Sequence, residues 1–322
     1  MTQLCIPYTL PCGHYTVIAE GIRKAFGDHV VLDGVDLQVE AGTVFALLGP
    51  NGAGKTTVIN ILSTLLRPDA GKATVAGHDL EGDAEGVRRS ISVTGQSVAL
   101  DEVLTVEENL IMMARLRRLG MREARARAGE LVAEFDLAEI RERRVKECSG
   151  GMRRRVDLAI SLIHRPPLIF LDEPTTGLDP ASREQVWASI RDLVASGTTV
   201  FLTTQYLEEA DRLADRIAML NNGQIVAEGT ADMLKSSLSG ELVRLEFIDE
   251  TSRGRAAALL GVAASDEHLE IATDGSAEAI RVLLTTLERE GVPAQKLALH
   301  RPSLDDVFFS VTSSDRANAG AR

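Results

Sequence analysis

The chain has 322 residues, of which 44% are hydrophobic and 25% charged, and its formal net charge is −12. That length suffices for about two domains with buried cores, and the acidic balance excludes nucleic acid as the main partner, because phosphate backbones demand clustered cations. No apolar run reaches the roughly 20 residues that span a bilayer, so membrane association is expected to come through a partner.

Residues 1–15 combine two prolines with mixed polarity and lack both a basic start and a continuous apolar core. They read as a disordered tail and not as a leader. Cys5, Cys12 and Cys148 have no metal-ligand spacing and are expected to be free thiols. From Tyr15 to Val39 the pattern is strand-like, with turns at Gly27-Asp28 and Asp33-Gly34. Phe26, just before the first turn, can stack on a purine or pack in a sheet, and spacing leaves both open.

The apolar run Thr43 to Leu48 leads into Gly49-Pro50-Asn51-Gly52-Ala53-Gly54-Lys55-Thr56-Thr57, and Val58, Ile61, Leu62 and Leu65 follow at helical spacing. Strand, glycine-rich loop and helix with the pattern G-x-x-x-x-G-K-T make a phosphate-binding P-loop. The glycines let backbone N–H groups turn inward around a polyphosphate. The helix start adds unpaired donors and a positive dipole end. Lys55 is placed to reach the β- and γ-phosphates, and the Thr56 hydroxyl to ligate Mg²⁺.

After a turn at Pro68 to Gly71, strands are expected at Lys72–Ala76 and Ile91–Thr94, the second ending at Gly95-Gln96. The Gln96 amide can reach a metal or water, or be an ordinary loop residue. Thr105 and Glu108 spell a capping box that opens a helical region over roughly Val106 to Phe135. The arginine-rich run Arg115 to Arg127 within it reads as a solvated face that could also meet a partner. Ser149 is a good N-cap, and Gly150-Gly151 allow a ligand close to the helix N-terminus. Pro166-Pro167 end that helix.

Leu168-Ile169-Phe170-Leu171 then runs into Asp172-Glu173, a buried strand ending in two carboxylates. With a P-loop present, Asp172 fits the aspartate that holds Mg²⁺. Neighbouring strand side chains point apart, which leaves Glu173 for the attacking water. A turn through Gly177-Leu178-Asp179-Pro180 precedes a helix from Ser182 to Ala195, and a strand at Thr198–Thr203 runs into Thr204-Gln205. Asn222-Gly223 marks a hairpin. A helix from Thr230 to Leu238 and a serine-rich linker complete residues 16–236. Residues 241–312 read as a small α/β domain without catalytic spacing, and 313–322 as a disordered tail.

The P-loop, Gln96, Ser149-Gly150-Gly151, Asp172-Glu173 and Gly177-Leu178-Asp179, in this order, resemble the ATP-binding subunit of ABC transporters from about Thr16 to Leu234. More narrowly, Ser149-Gly150-Gly151-Met152 with Arg153 to Arg155, Thr204 to Asp211, and Arg301 to Phe309 resemble the daunorubicin/doxorubicin-resistance type. The resemblance implies an α/β fold with a mostly parallel core sheet, an antiparallel β subdomain and a helical subdomain, followed by the small α/β domain. It implies that Phe26 stacks on the base, that Gly49 to Thr57 hold the phosphates, and that Asp172, Thr56 and Gln96 attend Mg²⁺. Glu173 is then the general base, with Gln96 and Gln205 beside the attacking water.

Ser149, Gly150 and Gly151 are implied to cap ATP held by a second copy, and Asp179 to cross that dimer interface. The partners implied are a second copy and an integral membrane permease at the cytoplasmic face of the membrane. The expected function is an ATPase that powers export of hydrophobic drugs or antibiotics, with lipid or glycolipid export as the alternative. A ribosome-associated role is disfavoured by the single P-loop, and a DNA-repair role by the lack of a coiled-coil insert. The sequence departs from the general pattern at Cys148 (leucine is usual), Met152 (glutamine) and Gln205 (the switch histidine).

Overall fold

The computed structural model describes residues 15–95, 100–237, 241–262, 268–273, 276–300 and 302–310. Gln96, Cys5, Cys12, residues 238–240 of the expected linker and both expected tails lie outside these residues, except that Tyr15 already belongs to the first strand. The chain forms two compact units, Met1–Thr230 and Ala231–Arg322. The boundary precedes the helix that the sequence placed at the end of the first domain.

Strands β1 (Tyr15–Phe26) and β2 (His29–Glu40) pair antiparallel across the Gly27-Asp28 turn, and β4 (Ala70–Val75) and β5 (His78–Asp79) extend the sheet in the order β2-β1-β4-β5. One face is buried. In β2, Val35, Leu37 and Val39 point into the core while Asp36 and Gln38 meet solvent, the period-2 pattern of a half-covered sheet.

The second sheet contains β3 (Val44–Leu48), β6 (Ile91–Thr94), β7 (Leu168–Asp172), β8 (Thr199–Thr204), β9 (Arg216–Asn221) and β10 (Gln224–Gly229), in the order β10-β9-β3-β8-β7-β6. All pairings are parallel apart from β10 with β9. Every residue of β3, β7 and β8 is buried, which explains the continuous apolar runs Val44–Leu48, Leu168–Leu171 and Val200–Leu202 within them. Phe201 stacks on Phe45 at 5.2 Å between ring centroids and tilts against Phe170 at 5.4 Å. The register pairs Leu48 with Thr204, Asp172 with Thr203, and Thr94 with Leu171. The strands therefore end together along one edge, the side on which open parallel sheets bind ligands.

Helices α1 (Lys55–Leu62), α2 (Ala84–Ser90), α3 (Val106–Leu116), α4 (Met121–Glu134), α5 (Gly150–Ser161), α6 (Pro180–Ala195) and α7 (Leu207–Leu213) complete this unit. The capping box is present: Glu108 N–H donates to Thr105 Oγ1 at 3.2 Å, and Thr105 N–H to Glu108 Oε2 at 2.8 Å. The expected helical region after it is two helices. Arg118 takes a left-handed conformation (φ 69°), and Gly120 restarts the chain with its N–H on Glu123 Oε2. Helix α6 begins at Pro180 rather than Ser182, because Asp179 caps it and the first helical position needs no N–H donor.

The Asn222-Gly223 hairpin joins the two sheets. A Cβ on Gly223 would lie 2.4 Å from Val31 O, and Gly223 O accepts from Asp33 N at 2.9 Å. Only glycine permits that approach.

In the second unit, α8 (Ala231–Ser236) is followed by β11 (Glu241–Glu246), α9 (Glu250–Leu260), β12 (Leu269–Thr273), α10 (Ala277–Arg289), β13 (Lys296–His300) and helical residues 304–310. The sheet order is β12-β11-β13, antiparallel throughout. Val243, Leu245, Leu269 and Leu287 form its core. Among the described residues no helix is long and apolar enough to cross a membrane.

The aromatic trio at the centre of the parallel sheet sets a stability expectation. Phe201→Ala should cost about 3–5 kcal/mol, read as a lowered urea midpoint with unchanged slope. A loss below about 1 kcal/mol would show that these rings do not anchor the sheet.

Candidate functional site

The shared strand edge delivers four chain segments to one place: Gly49 after β3, Glu173 after β7, Gln205 after β8 and Gly95 after β6. A cavity of about 390 Å³ opens there, lined by Asn51, Gly52, Lys55, Thr56, Glu173, Thr176 and Gln205 among others. A larger cavity of about 450 Å³, lined by Thr64, Leu66, Arg67, Glu81 and Arg88 among others, gathers neither a glycine loop nor a carboxylate pair.

The loop needs its glycines. Gly54 sits at φ 108°, where a Cβ would come within 2.7 Å of Leu32 Cδ2. No side chain caps the N-terminus of α1, so its first N–H groups face the cavity mouth without a capping acceptor.

Lys55 is only 5% exposed. Its ammonium donates to Gly49 O at 2.8 Å and Pro50 O at 3.1 Å, and lies 3.3 Å from Glu173 Oε1. Asp172 is equally enclosed: Thr56 Oγ1 donates to its Oδ2 at 2.9 Å and Thr203 Oγ1 to its Oδ1 at 2.5 Å. The two carboxylates diverge as strand geometry requires. Asp172 turns towards Thr56, and Glu173 towards Lys55 and Thr176, whose hydroxyl lies 3.2 Å from Glu173 Oε2. Glu173 has φ 48°, a left-handed conformation costing on the order of 1–3 kcal/mol in a residue with a Cβ. Its N–H is held by Thr203 O and Thr203 Oγ1, both at 3.1 Å.

Other residues singled out by sequence lie elsewhere. Phe26 ends β1, 52% exposed, with Lys24 Nζ 5.7 Å from its ring centroid, and it does not line the cavity. Ser149 caps α5 by accepting from Met152 N at 3.3 Å, and Ser149 and Gly150 are exposed. Gly151 packs so closely on Ser182 that a Cβ would lie 2.5 Å from its hydroxyl. Asp179 accepts from Ser182 Oγ at 2.6 Å and Ser182 N at 3.0 Å. Those bonds, the hydroxyl first, hold its carboxyl below the usual range. None of the Ser149–Gly151 segment lines this chain's own cavity.

Sequence reading missed Thr203, Thr176 and a buried polar group behind the site. Arg154 Nη1 donates to Gly95 O and Asp157 Oδ2, each at 3.0 Å, and so ties the start of α5 to the end of β6. Burial pushes Asp157 up to about 6, against the pull of Arg154. Glu209 is fully buried and accepts from Thr175 Oγ1 at 2.7 Å and Trp187 Nε1 at 3.0 Å. The adjacent threonines Thr203-Thr204 at a strand end were the available signal for the first of these.

Comparison with known proteins agrees with this geometry. Residues 32–176 match the ABC transporter family. Daunorubicin resistance ATP-binding protein DrrA3 of Streptomyces coeruleorubidus is 50% identical over 93% of this chain and 96% of its own length. The daunorubicin/doxorubicin resistance ATP-binding protein DrrA of Streptomyces peucetius is 49% identical over 91% of each chain. Among solved structures, the dimeric post-hydrolysis state of the ATP-binding cassette MJ0796, bound to ADP and Pi, superposes with a TM-score of 0.59. It is 26% identical and covers 66% of this chain and 98% of that one. The P-loop, the paired strand-end carboxylates and a 50% identical relative lead to one conclusion: this chain belongs to the ABC transporter family, as an ATP-binding and ATP-hydrolysing subunit.

Proposed function

We propose that this subunit powers the export of hydrophobic drugs or antibiotics, working as a dimer on a separate membrane permease at the cytoplasmic face. The names of its relatives support the cargo class, and the MJ0796 dimer supports the assembly. The observation that carries the catalytic reading is the convergence of Lys55, Thr56, Asp172 and Glu173 at one strand edge.

In this reading the ATP polyphosphate lies along Gly49 to Thr57 and draws the Lys55 ammonium away from Gly49 O and Pro50 O. The donor set at Thr56 and Asp172 is hard oxygen, held 2.9 Å apart, and fits Mg²⁺, which takes one or two carboxylates plus substrate phosphates. Gln96 completes that set. When bound, the ion neutralises charge developing on the phosphates. Glu173, freed from Lys55, takes a proton from water, and Thr176 keeps its carboxylate oriented. Gln205 donates its amide to the γ-phosphate or to that water, a role that needs no proton transfer. Phe26 stacks on the base.

The exposed Ser149 and Gly150 at the start of α5 serve the nucleotide of the second copy, with Asp179 beside them at the interface. ATP then closes the dimer and hydrolysis releases it.

Glu173→Gln should bind ATP but hydrolyse it slower by roughly 10²–10⁴, and light scattering with ATP and Mg²⁺ should show a stable dimer. Near-normal turnover would remove Glu173 from this role. Gln205→Ala should lower single-turnover hydrolysis by roughly 10²–10³ with little change in ATP affinity. Gln205→His should keep activity and acquire a pH dependence near ~6.5. Normal hydrolysis by the alanine variant, with a lowered melting temperature, would reduce Gln205 to a structural part.

A further inference from the structure

The corner between α3 and α4 is rich in arginine. Between Arg115 and Arg125 stand five arginines and one acid, Glu123, in a protein of net charge −12. Glu123 is itself exposed, and its carboxylate is engaged by the Gly120 N–H as part of the α4 cap. Arg115 bonds to Leu119 O. Arg117, Arg118, Arg122 and Arg125 are exposed, and none forms an ion pair with an acid among the described residues. Elsewhere in this unit Arg89 pairs with Glu85, Arg141 with Glu107, Arg165 with Glu130 and Arg212 with Glu184, whereas Arg67, Arg88, Arg143, Arg144 and Arg191 are exposed without an ion pair among the described residues; what sets the corner apart is that its cations surround exposed apolar side chains.

Two large apolar side chains share the corner. Leu116 is 70% and Met121 50% exposed, and they flank the turn that carries Arg117 and Arg118. Arg122 and Arg125 are three residues apart on the first turns of α4, and Met121 and Arg125 four apart, so they lie on one face. Arg118 occupies the left-handed position after α3, where glycine is the unstrained choice. An arginine there puts a cation on the turn at a conformational cost. The His164 imidazole is held below its ordinary range first by its burial and then by the Arg117 charge.

Cations around exposed apolar side chains fit a surface that is anionic above and apolar beneath. We propose that the α3–α4 corner contacts the membrane directly, binding anionic phospholipid headgroups through Arg117, Arg118, Arg122 and Arg125, with Leu116 and Met121 reaching the acyl boundary. This deepens the reading that the subunit works against a membrane permease, and it adds a contact that the permease does not supply. The negative charge of the rest of the chain does not oppose it, because fields beyond a Debye length of about 8 Å are screened at physiological salt.

The test uses the full chain without permease or nucleotide, so its outcome is separate from the export reading. Co-sedimentation with phosphatidylcholine vesicles containing phosphatidylglycerol should recover the protein at physiological salt and release most of it at high salt, and pure phosphatidylcholine should bind little. Each arginine near an anionic surface is worth about fivefold. Combining Arg117→Gln, Arg118→Gly, Arg122→Gln and Arg125→Gln should therefore weaken partitioning by about 10²–10³-fold. Arg118→Gly alone, which relieves the backbone, should weaken it about fivefold and keep the melting temperature. Leu116→Ser with Met121→Ser should weaken the salt-resistant part. A charge-matched control changing Arg88, Arg89, Arg191 and Arg289 to Gln should bind as the parent does.

Failure of the parent to bind anionic vesicles, equal loss in both fourfold variants, or retention in the corner variant would overturn the proposal. A corner variant that keeps vesicle binding but loses co-purification with a permease would make this a protein-docking surface instead.

Discussion

A buried ammonium group must be neutralised where it sits, and the organisation of this site follows from where Lys55 finds its partners. Two are backbone carbonyls of its own loop, Gly49 O and Pro50 O, and the third is the Glu173 carboxylate 3.3 Å away. Carbonyl dipoles are weaker partners than an anion. In the proposed mechanism a polyphosphate takes the lysine from these groups, and the Glu173 carboxylate it leaves receives the proton. In that reading one contact couples nucleotide arrival to the readiness of the base.

The sheet makes that contact possible. Parallel register brings the ends of β3, β7 and β8 to one edge, and Thr203 at the end of β8 fixes both neighbours on β7, through Asp172 Oδ1 and the Glu173 N–H. That grip stabilises the left-handed backbone at Glu173. Behind the edge, Arg154 links the start of α5 to Gly95, so the segment entering Gln96 and the helix capped by Ser149 are joined by one buried side chain. Truncating it would leave Asp157 buried without its cation, which is far costlier than the pair itself.

What was legible in the sequence was local. The P-loop, the strand ending in Asp172-Glu173, the Thr105–Glu108 box and the Asn222-Gly223 hairpin each carry their signal within a few residues, because a turn or cap is decided by nearest neighbours. The Asp179-Pro180 start of α6 had such a signal and was placed two residues late, and Gly120 marked a break inside a region taken as one helix. Thr203, Thr176 and Arg154 were not legible. Thr203 and Arg154 act through partners 31 and 59 residues away. The bond between Thr176 and Glu173 spans three residues but depends on the unusual φ at Glu173. Whether Phe26 stacks on a base or packs in the sheet was equally undecided by spacing, and it stands exposed at the end of β1, outside the lining of the phosphate cavity.

The central claim is that the Lys55 cradle is the nucleotide phosphate site, and it is tested most directly by calorimetry of ATP with Mg²⁺ on the full chain and on Lys55→Ala. Loss of a charge-assisted contact of about 1.5–3 kcal/mol predicts affinity weaker by roughly 10- to 150-fold, with the melting temperature of the nucleotide-free protein monitored as a control. Unchanged affinity in a folded variant would contradict the account.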